Sequence, residues 1–94
     1  MSERIENIKA AVEKRFGRAQ YVAPALVKEI FHGETVWEGV VETFDISLNP
    51  TVKRAYGFMY REGDETRFAT VAHTDHVNSP EMAVKAFIAS RIET

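Results

Sequence analysis

The chain has 94 residues, enough for one hydrophobic core and too few for two, so we expect a single domain over residues 1–94. Its formal net charge of -2 argues against a protein that binds nucleic acid through bulk positive charge. The sequence contains no cysteine, which excludes disulfides, thiolate nucleophiles, cysteine zinc sites and iron–sulfur clusters.

The N-terminal segment and the apolar runs bear on location. Residues 1–4 mix charges and lack the apolar stretch of a secretory signal. The longest apolar runs are far shorter than the roughly 20 residues that span a bilayer. We therefore expect a cytoplasmic protein with no membrane partner.

Residues 2–16 carry the pattern of an amphipathic helix. Apolar side chains recur at spacings of three or four residues: Ile5, Ile8, Val12 and Phe16. Ser2 precedes the pattern as a candidate N-cap, and Gly17 follows it as a residue suited to the end of a helix. The pattern predicts a helix over residues 2–16.

The next segment predicts a linker and two strands. The linker is placed at 18–24, and the strands at 26–31 and 35–46. Pro24 favours an extended residue before it and ends any helical option, whereas the strands are rich in β-branched and aromatic residues. The apolar positions of the second strand change parity near Gly39, which predicts a β-bulge there.

A hairpin is predicted farther along, with strands at 53–61 and 67–74 around a Gly63-Asp64 turn. The implied register places Tyr60 opposite Arg67 and Arg61 opposite Thr66. One face of the hairpin then carries aromatic side chains, and the other face carries small ones.

The second helix has three agreeing start signals, with Ser79 as N-cap, Pro80 in the first position and Glu81 in the first turn. Its apolar stripe contains Val84, Phe87, Ile88 and Ile92, and we place it at residues 79–91. The order predicts an α+β fold, helix–four-stranded antiparallel meander–helix (α-β-β-β-β-α). Because each helix has one apolar stripe, we expect a two-layer sandwich with both helices on one sheet face.

This order of a helix, a meander and a helix resembles the double-stranded-RNA-binding domain in outline. That family carries a basic cluster at the start of its second helix. The corresponding positions here read Ser79-Pro80-Glu81-Met82, followed by a single Lys85. The meander here also has one strand more. The resemblance therefore concerns the topology and transfers no functional residue.

His73, Asp75 and His76 form the densest group of titratable side chains. Alternation places His73 and Asp75 on one side of a strand and His76 on the other. Imidazole and carboxylate suit a metal site or an acid/base pair, and His32 is the candidate third ligand. The competing interpretation, which we favour, is the polar end of a strand. We therefore expect no metal and no cofactor.

An aromatic stripe on the second hairpin is a candidate nucleic-acid surface. The residues concerned are Arg54, Tyr56, Phe58, Tyr60, Arg61 and Arg67. Sheet-based binders of single strands or RNA stack bases on aromatic rings and contact phosphates with arginine. The competing interpretation is that the helices cover this face and the aromatic side chains belong to the core.

The leading interpretation is a small non-catalytic interaction module that acts by protein–protein contact or homo-oligomerisation, with an enzyme role disfavoured. Trp37, Met59 and Phe68 are the expected apolar anchors, if the face that carries Met59 and Phe68 stays open. For Trp37, a position in the core beside a helix is an equally open alternative. A metal-dependent or acid/base enzyme built on the histidine cluster is the remaining hypothesis.

Overall fold

The structure, a computed structural model, describes residues 2–92, and of Ile92 it describes the backbone alone. The elements are α1 (Glu3–Phe16), β1 (Ala19–Phe31), β2 (Glu34–Ile46), β3 (Arg54–Glu62), β4 (Glu65–Ala72) and α2 (Pro80–Ile92). The strands form one antiparallel sheet in the order β1-β2-β3-β4. The predicted α+β class, element order and antiparallel meander are confirmed. None of the helices in residues 2–92 is both long and apolar enough to cross a membrane.

Both helices begin at the predicted caps. The Ser2 hydroxyl accepts a hydrogen bond from the Ile5 N–H at 3.2 Å, and the Ser79 hydroxyl accepts one from the Met82 N–H at 3.2 Å. These bonds satisfy backbone donors that have no partner within the helix. The Ile92 side chain of the predicted stripe lies outside the described residues.

The predicted linker at 18–24 is wrong, because β1 already begins at Ala19 and runs through Pro24. Pro24 lies opposite Glu42 on the outermost strand of the sheet. A proline is tolerated there because its missing N–H would have faced solvent. The strand accommodates one extra residue, Val22, between the pairs formed by Tyr21 and Ala23.

The predicted bulge at Gly39 is also wrong, since Gly39 pairs in regular register with Val27. The irregularities of the first hairpin lie elsewhere, at Val22 and beyond the Glu29–Trp37 pair. Apolar residues occur at both parities of β2 because both sheet faces are covered. A two-sided core therefore explains the parity change without a bulge.

The expected placement of both helices on one face requires correction, because each helix packs on its own face. On one side Gly57 approaches α1 so closely that an added Cβ would lie 2.5 Å from the Ile8 side chain. On the other side Phe58, the next residue of β3, contacts Phe87 of α2 with ring centroids 5.4 Å apart. Successive strand residues point to opposite faces, so α1 and α2 enclose the sheet between them.

The core consists of two clusters, one on each face. The α1 side contains Ile8, Val12, Phe16, Ala19, Phe44, Ile46 and Ala55. The α2 side contains Val27, Val41, Tyr56, Phe58, Ala69, Ala83 and Val84. Small residues on β3 let α1 approach closely, whereas the aromatic face offers α2 a larger apolar area.

The sheet is continuous at one end and divided at the other. The β3–β4 hairpin has the predicted register, with Tyr60 opposite Arg67 and the turn at Gly63 and Asp64. By contrast, β2 pairs with β3 only over residues 42–45. Beyond that ladder, β1 and β2 continue together as a two-stranded segment, residues 25–41, which we call the distal hairpin.

Candidate functional site

A cleft of about 490 Å³ lies where β2 and β3 diverge. It is lined by Val36, Trp37, Glu38, Met59, Tyr60, Arg61, Phe87, Ile88 and Arg91. The lining comes from β2, β3 and the C-terminal half of α2. Its size falls in the usual range of small-ligand pockets, and its lining is mainly apolar and aromatic.

Trp37 lies between the diverging strands. Its indole Nε1–H donates a hydrogen bond to the Met59 carbonyl oxygen at 3.1 Å. Its ring contacts Phe58 edge to face, with the centroids 5.0 Å apart. Trp37 is therefore half-buried, with a hydrogen-bonded polar end, and it forms one side of the cleft.

Aromatic side chains and an ion pair form the opposite side. The Phe87 ring lies 4.7 Å from the Tyr60 ring, and the Arg91 guanidinium lies 5.1 Å from the Tyr60 centroid. Arg91 also donates to the Glu62 carboxylate, and this hydrogen bond lowers the pKa of Glu62. A cation over two rings gives this rim both a charged and an apolar surface.

Exposed apolar side chains concentrate beside the cleft. Among the described residues, four of the eight large apolar side chains classed as exposed belong to the distal hairpin: Leu26, Ile30, Phe31 and Val36. Val36 also lines the cleft itself. Ile30 and Phe31 adjoin Val36 in a neighbouring depression, whereas Leu26 is next to the buried Val27 and points to the opposite face. Exposed apolar groups that adjoin one another mark interaction sites in other proteins.

The expected interface anchors divide between two places. Trp37 and Met59 come together in the cleft. Phe68 lies directly across the strand pair from Met59 but does not line the cleft, and its side chain is 40% exposed. Only two of the three residues therefore belong to one candidate site.

The aromatic stripe lies beneath α2, where Tyr56 is 2% exposed and Phe58 is fully buried. Buried rings are unavailable for base stacking, which argues against the nucleic-acid hypothesis. The arginines of that proposed surface are also engaged or dispersed. Arg54 pairs with Asp45 at 2.8 Å, and Arg67 pairs with Glu62 and Glu65 at 3.2 and 2.6 Å, whereas Arg61 is exposed in the cleft.

The histidine cluster does not converge with His32. His32 occupies the β1–β2 turn, whereas His73 follows β4 at the far end of the sheet. His73 Nδ1 instead lies 2.7 Å from the Tyr56 hydroxyl, and burial raises the pKa of Tyr56. Asp75 and His76 are exposed. Within residues 2–92, no three histidine, aspartate or glutamate side chains are grouped to hold a metal.

The buried carboxylate of Glu42, which lies where β2 and β3 separate, was not predicted from the sequence. Glu42 is fully buried on the α1 side, where Arg4 and the Tyr21 hydroxyl donate hydrogen bonds to its carboxylate. Burial and the neighbouring carboxylate raise the pKa of Tyr21 to about 12. The only sequence signal was a glutamate with the same strand parity as Phe44.

The lining determines what the cleft can do. It contains no histidine, serine, threonine or lysine, and its one carboxylate belongs to Glu38. A hydroxyl nucleophile paired with a histidine or lysine base is therefore absent from the side chains that line it. The apolar and aromatic side chains of the lining suit the uptake of an apolar group. No family model matches the chain, and no curated protein or solved structure matches it either.

Proposed function

We propose that the protein is a non-catalytic interaction module of the cytoplasm whose cleft binds an apolar segment of a partner protein. The observation that carries the proposal is the apolar, aromatic cleft between β2 and β3. Tryptophan, tyrosine and arginine are the residue types enriched at the energetic centres of protein interfaces, and all three line this cleft.

The surroundings of the cleft support the same proposal. The exposed Ile30 and Phe31 side chains of the distal hairpin adjoin Val36 and extend the contact surface beyond the cleft. Water leaves these groups when a partner covers them, and this stabilises the complex by about 25 cal/mol per Å² of apolar surface before the costs of association. Charged side chains at the rim, Glu38, Arg61 and Arg91, give such a contact specificity.

Two surface variants test the proposal. Val36→Glu introduces a carboxylate into the cleft at a side chain that is already 43% exposed, so the fold is expected to remain intact. Leu48→Glu is the matched control, because Leu48 is 87% exposed in the loop after β2. A random twelve-residue peptide library displayed on phage is selected on the wild-type protein. Recovered peptides are then synthesised and their affinities measured through Trp37 fluorescence.

We expect apolar-rich peptides that bind the wild type and Leu48→Glu alike and bind Val36→Glu at least about tenfold more weakly. Failure to recover any peptide with this dependence contradicts the proposal. Sedimentation velocity of the same variants identifies self-association. If the partner is a second copy of the chain, the wild type and Leu48→Glu form oligomers, and Val36→Glu is monomeric.

A further inference from the structure

We propose that the segment bound in the cleft is an extended strand that pairs with the free edge of β3 at Arg61. This inference rests on the proposed function and specifies the conformation and chemistry of the partner. The known precedent is β-strand addition, in which main-chain hydrogen bonds provide affinity and alternate side chains provide specificity.

The direction of the β3 backbone groups follows from two hydrogen bonds. The His73 N–H donates to the Arg54 carbonyl at 2.8 Å, and the Ile46 N–H donates to the Lys53 carbonyl at 2.9 Å. Backbone groups alternate in direction along an antiparallel strand. The backbone N–H and carbonyl groups of even-numbered β3 residues therefore point to β4. Those of odd-numbered residues, including Met59 and Arg61, point towards β2.

On the β2 side, Met59 and Arg61 have no paired strand, because the β2–β3 ladder ends at the Glu42–Gly57 pair. The Met59 carbonyl receives the Trp37 indole N–H in place of a backbone N–H. This contact shows that the edge accepts a donor from within the cleft. Arg61 is the next residue of β3 whose backbone N–H and carbonyl point towards β2. A residue of the added strand that lies opposite Arg61 therefore forms two hydrogen bonds with it.

The outer edges of the sheet are less suited to strand addition. The edge strand β1 contains Pro24, which has no N–H, and the exposed Lys28. Both features protect edge strands from pairing. On β4, the Thr70 carbonyl accepts a hydrogen bond from the Arg15 side chain of α1 at 2.5 Å. The edge of β3 in the cleft contains no proline, and its side-chain hydrogen bond, from Trp37 to the Met59 carbonyl, lies two residues before Arg61.

Pairing at Arg61 also sets the side-chain pattern of the partner. Every second side chain of the added strand faces Tyr60, Phe87 and Ile88, so these positions are apolar. The intervening side chains lie on the side of Arg61, which is exposed and makes no ion pair with the described residues. We infer a partner segment that alternates apolar residues with polar or acidic ones.

The test compares Arg61→Ala with Arg61→Pro, using the peptides recovered in the phage selection. Both variants remove the guanidinium, but only proline also removes the N–H that points into the cleft. Arg61 does not bond to β4 through its backbone, so proline leaves that ladder intact. Thermal unfolding of the two variants checks that both are folded.

We expect Arg61→Pro to bind at least about tenfold more weakly than Arg61→Ala, because the two variants differ in the backbone N–H and not in the guanidinium. A scan of singly N-methylated peptides provides a second measurement that needs no protein variant. Affinity is lost when the peptide residue that pairs with Arg61 is N-methylated, because its N–H donates to the Arg61 carbonyl, and is retained when either neighbouring residue is N-methylated.

The outcomes separate the two proposals. Peptides that require an apolar Val36 but bind both Arg61 variants equally, with no N-methyl position at which affinity is lost, occupy the cleft in another conformation. That result overturns strand addition and leaves the interaction module standing. If no cleft-dependent peptide is recovered, the proposed function and the strand addition are both refuted.

Discussion

Substitution of Gly57 by alanine tests the placement of α1 against the sheet. A Cβ at this position would lie 2.5 Å from Ile8 Cγ2 and 3.1 Å from Val12 Cγ2. Carbon atoms in contact are ordinarily about 3.5–4.0 Å apart, so the Ile8 side chain has to move by roughly 1 Å. Both side chains are fully buried, which leaves them little room to move.

The expected free energy of unfolding follows from two opposing effects. Overpacking of a buried site costs about 1–3 kcal/mol. Replacing glycine within a strand recovers about 0.5–1 kcal/mol of backbone entropy. Gly57→Ala therefore destabilises the protein by about 0–2.5 kcal/mol, and for a domain of this size each kcal/mol lowers the Tm by roughly 4–8 °C.

A double-mutant cycle makes the test specific. Ile8→Ala alone leaves a cavity and costs about 2–5 kcal/mol. In the double variant the new methyl group at position 57 occupies part of that cavity, so the total is lower than the sum by about 1–2 kcal/mol. Val84→Ala on the α2 side is the matched control, and we expect it to be additive with Gly57→Ala. Urea unfolding monitored by circular dichroism measures all variants.

The sign of the effect decides the question. If α1 shared the aromatic face with α2, Gly57 would lie on an open face and alanine would stabilise the protein. A more stable Gly57→Ala variant, or strict additivity with Ile8→Ala, would therefore refute the packing of α1 on the small-residue face of β3.

Two further predictions concern the buried carboxylate. Arg4→Met leaves the fully buried Glu42 without its cation, and we expect it to lower the free energy of unfolding by about 2–4 kcal/mol. This loss is smaller than for a fully buried ion pair because the Arg4 side chain is 36% exposed. Adding Glu42→Met to Arg4→Met is expected to restore most of the lost stability. Urea unfolding measures both variants, and a Glu42→Met change that restores nothing contradicts the pairing. Burial raises the pKa of Tyr21 from 10.0 to about 12, so its contribution to stability is complete below pH 10 and is lost as the pH rises towards 12. Tyr21→Phe is expected to lack this part of the alkaline decline, and identical declines in the two proteins would show that Tyr21 does not contribute.

Local signals predicted the elements where neighbouring residues determine the conformation. The Ser79-Pro80-Glu81 start of α2 and the Gly63-Asp64 turn were both correct, because caps and turns depend on a few adjacent residues. The β3–β4 register followed from that turn. Pro24 misled the prediction for β1, because proline ends a strand only where its N–H is needed for pairing.

The candidate site could not be predicted in the same way. Trp37 and Met59 were predicted as anchors, but their contact arises because β2 is separated from β3 over the residues that precede Glu42. Phe87 was predicted only as part of an apolar helix stripe. It lines the cleft because α2 crosses the aromatic face at this point.

The sequence by itself determined the class of the fold, the order of its elements, both helix starts and the second hairpin. Hydrophobic periodicity and cap residues act over a few residues, so they can be read along the chain. Only the tertiary structure decided which face each helix covers and where the sheet divides. Both faces of β3 carry apolar or small residues, so periodicity does not distinguish them. The contact of Gly57 with Ile8, and of Phe58 with Phe87, assigns α1 to one face and α2 to the other.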